Sequence, residues 1–216
     1  IFSSTCATFG EPTEMAIHEK VSQKPVNPYG SSKLYIEQIL KDLGRADGLK
    51  YAILRYFNAA GADPEGKLGE DHRPETHLIP KILATALGLE SNLVVHGKDY
   101  STADGSCIRD YVHVNDLGAA HIQAMEYLVR TGKSDDFNLG TEKGHSVFEV
   151  IRTAEKVTGG KINYTLGPRR AGDPAVLVAD SRKAQEILGW KLQYSLEDIL
   201  DTAYRWIKEN PKGYSR

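Results

Sequence analysis

The sequence predicts an α/β protein built on a parallel sheet, and three features of its first quarter indicate this. Residues 1–4 are an apolar pair followed by two serines, as at the end of a buried strand. Helical periodicity then runs from Leu34 to Leu43, with Gly44 as the expected C-terminal cap. Residues 51–57 form an apolar, aromatic run with the length of a buried strand. Strand, helix and strand in this order are typical of a parallel βαβ unit.

The rest of the chain predicts shorter elements. Residues 59–75 are rich in Gly, Pro and charge and are expected to form a loop that leaves the sheet, and residues 100–106 form a second loop. Asn115 or Asp116 is the expected N-cap of one later helix, and Ser146 is that of another. Helices are predicted at 78–89, 114–130, 146–158, 181–188 and 195–210, and strands at 93–95, 137–139 and 162–165.

Composition and charge argue against several classes of partner. The 216 residues include 27 Lys and Arg against 29 Asp and Glu, so the formal net charge is −2. With no basic run, this balance gives no reason to expect a nucleic acid or a membrane as partner. No apolar stretch approaches the ~20 residues that a membrane helix needs, and the N-terminus lacks the pattern of a secretory signal. Cys6 and Cys107 are too few for a disulfide framework and are expected to be free thiols, which favours a cytoplasmic protein.

The clearest chemical signal is the pair Tyr29 and Lys33 in the stretch Asn-Pro-Tyr-Gly-Ser-Ser-Lys. Pro28 favours a helix start, and the four-residue spacing places both side chains on one helical face. A lysine ammonium beside a phenol lowers the tyrosine pKa from its usual value of about 10. A tyrosine tuned in this way can take a proton from an alcohol while hydride leaves the same carbon. The Thr5 hydroxyl, just after the first strand, is placed to bind the same oxygen.

By itself this spacing is also consistent with an amphipathic helix face that carries no chemistry. Together with the upstream Ser-Ser-Thr (residues 3–5) and the βα order, it resembles the active site of the extended short-chain dehydrogenase/reductase family. That resemblance implies NAD(P) bound on a Rossmann sheet, at a Gly-rich turn after the first strand. The sequence has no such turn, because Gly159-Gly160 follows a helix rather than a strand. Since Ile1 also resembles the middle of a strand, we expect a preceding segment that holds most of the NAD.

Four further stretches resemble the UDP-glucose 4-epimerases of that family. The matching stretches are residues 2–10 (Phe-Ser-Ser-Thr-Cys-Ala-Thr-Phe-Gly), 55–58 (Arg-Tyr-Phe-Asn), 105–114 (Gly-Ser-Cys-Ile-Arg-Asp-Tyr-Val-His-Val) and 168–173 (Pro-Arg-Arg-Ala-Gly-Asp). Phe9 departs from the family pattern, where Tyr is more frequent. The related 4,6-dehydratases carry an acidic pair where Cys6 and Ala7 stand, and the related decarboxylases place a Glu nearby. The absence of these acids favours a reaction that moves one proton and one hydride.

The resemblance implies a role for each residue of the active site. Tyr29 is implied to take the proton of the sugar 4-hydroxyl as hydride passes from C4 to NAD. The 4-keto sugar then turns over, and hydride returns to its other face. Lys33 is implied to tune Tyr29 and to hold the nicotinamide ribose, and Thr5 to share the 4-oxygen. The implied NAD contacts are therefore Tyr29, Lys33 and Phe57.

The resemblance also implies a binding site for the UDP-sugar. Arg109 and Arg170 match positions that bind the pyrophosphate, for which a guanidinium fork is well suited, and Asp173 matches one that binds the uridine ribose. Taken from the residues alone, Arg170 and Asp173 are equally consistent with a surface ion pair. The other implied substrate contacts are Asn58, His77, Leu78, Val94, His96 and Leu177.

Several alternatives stay open at this point. Leu177 matches a position whose bulk limits N-acetyl sugars, so an epimerase of UDP-N-acetylhexosamine or UDP-glucuronate is the nearest rival. A chain without its Gly-rich turn is alternatively an inactive fragment with an unpaired sheet edge. His72 and His77 are five residues apart, which is not the spacing of a metal pair on a helix, and we predict no metal site. His113 and His121 are expected to pack at the ends of their segments.

The predicted fold class is α/β, with a partial Rossmann-type parallel sheet and a smaller α/β substrate-binding domain. Residues 1–58 and 112–145 are assigned to the dinucleotide-binding domain, and residues 59–111 and 146–216 to the sugar-nucleotide-binding domain. The active site is expected in the cleft between them. The resemblance also implies a homodimer with the Tyr29 helix in its interface.

Overall fold

A computed structural model of the chain describes residues 1–12, 16–170 and 172–214. Six α-helices in the described part are α1 (Pro28–Asp47), α2 (Leu78–Ala86), α3 (Val114–Thr131), α4 (Val147–Thr158), α5 (Arg182–Leu188) and α6 (Leu196–Glu209). A short 3-10 helix spans Cys6–Phe9. The strands are β1 (Phe2–Thr5), β2 (Ala52–Tyr56), β3 (Asn58–Ala60), β4 (Leu93–His96), β5 (Ile108–Arg109), β6 (Tyr111–His113), β7 (Asp135–Leu139), β8 (His145–Ser146), β9 (Tyr164–Gly167) and β10 (Val176–Leu177).

The main sheet is parallel and has the order β1-β2-β7, which confirms the predicted βαβ start of the chain. Thr5 pairs with Tyr56, and Tyr56 pairs with Leu139, so the carboxyl ends of the three strands lie side by side. β2 is the central strand and is buried along nearly its whole length. This arrangement brings the segments that follow each strand to one edge of the sheet, where ligands bind in open parallel sheets.

The smaller sheets contain β4 and β9, which the sequence predicted, and five short strands that it did not. β3 pairs with β6, β4 pairs with β9, and β10 and β8 flank β5. Five of these strands are two or three residues long, too short for an alternating pattern to be visible, and they include polar residues such as Asn58, Arg109 and His145. The predicted loop therefore starts too early: residues 59 and 60 belong to β3, which is paired with β6.

Two predicted helix boundaries were also wrong. α1 continues through Gly44 to Asp47, and Gly48 is its C-cap because its φ of 73° is the left-handed conformation that glycine adopts without strain. α2 ends at Ala86, three residues before the predicted end.

The predicted helix caps and histidine positions were correct only in part. α3 is capped by His113, whose Nδ1 accepts from the Asn115 N–H at 3.1 Å, and not by Asn115 or Asp116. The Asp116 carboxylate instead accepts from the backbone N–H of Gln193. His113 thus lies at a segment end as expected, whereas His121 lies inside α3, where its Nδ1 bonds the Leu117 carbonyl. Ser146 is the N-cap of α4, as predicted.

The core consists of three apolar clusters. One lies between the main sheet and α3 and includes Leu54 and Phe137. A second lies among α2, α4 and α6 and includes Ile82. A third, smaller cluster packs Phe9 and Phe57 where the main sheet meets the first loop. The division into two domains stays a prediction. No helix in the described ranges is both long and apolar enough to cross a membrane.

A buried ionic network joins α1 to the main sheet. The Glu37 carboxylate is fully buried and accepts from Arg55 Nε at 2.9 Å and Nη2 at 2.8 Å, and from Ser4 Oγ at 2.5 Å. Arg55 Nη2 also donates to Asp136 at 2.6 Å. Burial raises the pKa of Glu37, but the hydrogen bonds and charge of Arg55 outweigh it and hold the pKa below its ordinary value. One carboxylate therefore ties α1 to both β1 and β2.

Replacing Glu37 with Gln should destabilise the fold by about 3 kcal/mol, because it leaves the Arg55 charge buried with one partner fewer. Since the folded pKa of Glu37 lies below 4.5, its stabilisation is complete above that pH and is lost as the pH falls through the folded value. Urea unfolding from about pH 7 to about pH 3 measures both effects, and E37Q should lack this part of the acid dependence.

The matched control is E65Q, since Glu65 forms an exposed pair with Lys67 and should leave the unfolding midpoint unchanged. Equal midpoints for E37Q and E65Q would show that the buried network does not stabilise the fold.

Candidate active site

Thr5 and Tyr29 come together where the first strand ends and α1 begins. Thr5 is the last residue of β1, and its Oγ1 accepts from the Ala7 N–H at 3.1 Å. Asn27 caps α1, with its Oδ1 accepting from the Gly30 N–H at 2.8 Å, and Pro28 occupies the first turn as predicted. A Cβ on Gly30 would lie 2.4 Å from the Ala7 carbonyl oxygen. Only glycine allows this approach, which brings the first turn of α1 against the segment after Thr5.

The Tyr29 phenol has a pKa above its ordinary value, which contradicts the expected lowering by Lys33. Burial is the main cause, because an anionic phenolate loses hydration there, and a hydrogen bond with Thr5 opposes the shift without reversing it. The Lys33 ammonium donates to the Ser3 carbonyl at 2.9 Å and lies 5.8 Å from the Tyr29 ring centre. The spacing therefore places both side chains on one face, as predicted, but the ammonium is directed at the backbone of β1 and not at the phenol oxygen.

The predicted substrate contacts gather around a cavity of about 400 Å³, a volume within the range of small-ligand sites. The cavity lies beside α2, β4 and β5, and its wall is part polar and part apolar. Of the ten predicted substrate contacts, the eight that line it are Asn58, His77, Leu78, Val94, His96, Arg109, Arg170 and Asp173.

Thr5 and Leu177 lie outside this wall, as do Tyr29, Lys33 and Phe57. Leu177 joins the two groups, since it pairs with Arg109 in the sheet and packs against the cluster that contains Phe57.

Arg109 is a firmly anchored positive charge in the cavity wall. It is buried, its Nη1 donates to the Ile108 carbonyl at 2.7 Å, and its Nη2 pairs with the Asp173 carboxylate. Asp173 thus forms an ion pair, but with Arg109 and not with Arg170 as the surface alternative supposed. Arg170 contributes a second guanidinium to the same wall. Two guanidinium groups beside one carboxylate suit a ligand that carries both phosphates and hydroxyls.

Some residues of the cavity were missed by sequence reasoning. The cavity wall also includes Glu70, Lys81, Tyr111 and Trp206. Of these, only Tyr111 had a signal in the sequence, because it follows Arg109-Asp110 in one of the matching stretches. The buried Asp110 carboxylate was not predicted either, and it accepts from the Thr141 N–H at 2.7 Å and from the Ala179 N–H at 3.1 Å. It joins the loops around the site. Ala171, within the last matching stretch, lies outside the described residues.

The two positions after Thr5 carry no acid or base. Burial raises the pKa of the Cys6 thiol to about 12, so it stays protonated at neutral pH. Ala7 has no ionisable group, and in the described structure Cys6 is a free, buried cysteine, as is Cys107. Tyr29 and Thr5 therefore bring two hydroxyl groups together at this end of the sheet, without an acid at the two positions that follow Thr5.

Comparison with known proteins gives consistent relatives over the whole chain. The family model described as GDP-mannose 4,6 dehydratase matches residues 1–203. The UDP-glucose 4-epimerase of Halalkalibacterium halodurans is 54% identical over 216 residues, which are 100% of this chain and 65% of that protein. A crystal structure of a UDP-glucose 4-epimerase superposes with a TM-score of 0.96 at 49% identity, covering 100% of this chain and 66% of the other.

The UDP-glucose 4-epimerase of Bifidobacterium longum, crystallised with NAD+ and UDP, is 40% identical, with a TM-score of 0.93 over 99% of this chain and 64% of that one.

The parallel sheet, with a Tyr-x-x-x-Lys helix between its first two strands and a cavity wall that contains two guanidinium groups, is the arrangement of the extended short-chain dehydrogenase/reductase class. Within that class the chain belongs to the UDP-glucose 4-epimerase family. It spans about two thirds of the length of the relatives that it matches.

Proposed function

We propose that this protein interconverts UDP-glucose and UDP-galactose, with NAD as a bound and regenerated cofactor. The observation that carries the proposal is the hydrogen bond between Tyr29 and Thr5 at the carboxyl edge of the sheet, on the same molecule as a cavity that contains Arg109 and Arg170. The relatives named as UDP-glucose 4-epimerases support it, including one crystallised with NAD+ and UDP. The free thiols Cys6 and Cys107 support a cytoplasmic location.

The residues present fit the nicotinamide end of the cofactor. Tyr29 is half-exposed at the edge where the strands end, and Lys33 is one turn further along the same helix. Tyr29, Lys33 and Phe57 would hold that end, whereas no Gly-rich turn for the pyrophosphate occurs in these 216 residues. When bound, NAD accepts and returns hydride at the sugar carbon. Tyr29 and Thr5 then hold and move the proton of the 4-hydroxyl.

The UDP moiety is held away from the reacting carbon in this proposal. Arg109 and Arg170 bind the two phosphates, and Asp173 leaves its pairing with Arg109 to accept from the ribose hydroxyls. The exchange keeps Arg109 paired with an anion throughout, so its buried charge is not left unpartnered. A sugar anchored only through UDP is free to turn over, so either of its faces can meet the hydride.

Replacing Tyr29 with Phe should lower kcat about 10³-fold, because the proton of the 4-hydroxyl then has no acceptor at that place. Coupled turnover of UDP-galactose by the full-length protein, with its bound NAD measured separately, tests this. The matched control is Y164F, since Tyr164 is an exposed tyrosine on β9, outside α1 and the cavity wall. If Y29F keeps the parental kcat while its NAD content is unchanged, Tyr29 is not the acid–base group.

An epimerase of N-acetylated sugars is the second candidate, favoured by the intermediate size of Leu177 beside Arg109. Replacing Leu177 with Tyr should lower kcat/KM for UDP-N-acetylgalactosamine relative to UDP-galactose by about tenfold or more, because the larger side chain occupies space that the acetyl group needs. Parallel assays of both sugars measure the ratio. A ratio equal in L177Y and the parent would show that Leu177 does not limit substrate size.

We further propose that two copies of the protein associate through α1. Tyr35, Ile39 and Leu43 follow one another at four-residue spacing and are exposed by 68%, 55% and 40%. Such a stripe on a helix is typical of a surface that packs against another helix. Because Tyr29 and Lys33 begin the same helix, the interface would also fix the position of the catalytic turn.

Replacing Ile39 with Lys should convert the dimer into a monomer, because a charge in the centre of the stripe is not compatible with a buried interface. Light scattering during gel filtration measures the mass. V129K is the control, since Val129 is 84% exposed on α3. A mass that is the same for I39K and the parent would place any interface elsewhere or show that none forms.

A further inference from the structure

Four metal-ligating side chains meet in the loop between β3 and α2. Glu70, His72, Glu75 and His77 each offer one nitrogen or oxygen donor, and these donors all lie within 4.8 Å of one another. His77 Nδ1 contacts the Glu70 carboxylate, and Glu75 Oε1 lies 3.6 Å from His72 Nδ1 and 3.8 Å from His77 Nδ1. The two imidazole rings are nearly parallel, with centres 5.0 Å apart.

Helical spacing does not decide whether these histidines bind a metal, because neither of them lies inside a helix. His77 is the N-cap of α2, with extended backbone and no capping bond from its side chain, and His72 precedes it in the loop. The loop folds back so that residues five apart face each other. The prediction of no metal site was based on helical spacing, a criterion that does not apply to these two residues.

The backbone that carries the four side chains is itself anchored. Glu75 Oε1 accepts from the backbone N–H of Thr76 at 2.6 Å and of His77 at 2.7 Å. The Glu70 carbonyl accepts from Trp206 Nε1 at 3.0 Å, which ties this end of the loop to α6. Glu75 is thus held through Oε1, which leaves Oε2 for a metal, and Glu70 is held through its backbone carbonyl, which leaves its carboxylate. The fold therefore holds these four donor side chains close together.

We propose that Glu70, His72, Glu75 and His77 bind one zinc ion or a similar divalent transition metal. Two imidazole nitrogens and two carboxylate oxygens are a donor set that Zn²⁺ accepts in tetrahedral geometry, and two carboxylates balance its charge. Mg²⁺ and Ca²⁺ prefer sites made only of oxygen, so two imidazoles select against them.

The four donor atoms lie close enough together to surround such an ion after small movements of their side chains. Zinc–ligand bonds of about 2.1 Å put the donors of a tetrahedral site roughly 3.4 Å apart, somewhat closer than the 4.8 Å limit seen here. The imidazoles of His72 and His77 are 48% and 62% exposed, so they can move the remaining distance without disturbing the core. Because Glu70 and His77 also line the cavity, the bound ion would fix the position of one wall of the cavity.

The test is titration of the EDTA-treated, untagged protein with zinc chloride by calorimetry at neutral pH, with no nucleotide present. One equivalent should bind, and binding should weaken at acid pH because imidazole nitrogen must be unprotonated to bind a metal. H72A and E75Q should bind at least about tenfold more weakly. His72 is half-exposed, and a glutamine oxygen at position 75 still accepts the two backbone N–H groups, so both variants should keep the parental circular dichroism spectrum.

H18A and E65Q are the matched controls outside the cluster and should bind as the parent does. Cobalt chloride gives a second readout, because a four-coordinate site makes Co²⁺ absorb strongly in the visible region and a hydrated ion does not. No binding of zinc to the parent, or equal binding by H72A, E75Q and the controls, would overturn the proposal. Binding that depends on the cluster but leaves Co²⁺ weakly absorbing would also overturn the four-ligand site.

Discussion

The buried pair between Glu37 and Arg55 is the interaction on which the geometry of the site depends. Glu37 lies one turn beyond Lys33 on α1, and its carboxylate also accepts from Ser4, the residue before Thr5. A charge taken out of water is tolerated only when it is paired and hydrogen-bonded, so α1 has one stable position on the sheet. That position places Tyr29 at the level of Thr5. The turn that carries Tyr29 is therefore held in place by a residue two turns away.

The cavity is formed by the connecting segments and not by the main sheet. Its arginines lie in short strands and loops that leave the main sheet, and Asp110 joins these segments through backbone N–H groups. Arg109 is paired with Asp173, and in the proposed complex it would be paired with a phosphate, so its charge would be satisfied in both states. The sheet supplies the rigid edge and the connections supply the binding groups, which is the usual division of function in open parallel sheets.

The sequence predicted those parts of the fold that have a local pattern. Apolar runs identified β1 and β2, and periodicity identified α1, although its end was placed four residues early at Gly44. Strands of two residues such as β5 have no period and are fixed by pairing with distant segments. Glu37 gave no signal as a buried acid, because its partner Arg55 lies in another element. Motif resemblance identified eight residues of the cavity wall, including both arginines, whereas Glu70 joined it only through folding of a loop.

Helical spacing determines which face a side chain occupies, but it does not determine the electrostatics that the side chain experiences. Lys33 lies on the face of Tyr29, yet its ammonium donates to the Ser3 carbonyl, and burial leaves the phenol with a raised pKa. The Ser3 hydroxyl is in turn bonded to His121 on the other side of the sheet. In the proposed reaction, a phenol that holds its proton would donate to the sugar 4-oxygen and would not take a proton from it. The proposed removal of the proton would therefore need positive charge closer to the phenol oxygen, which a repositioned Lys33 or a bound cationic nicotinamide would supply.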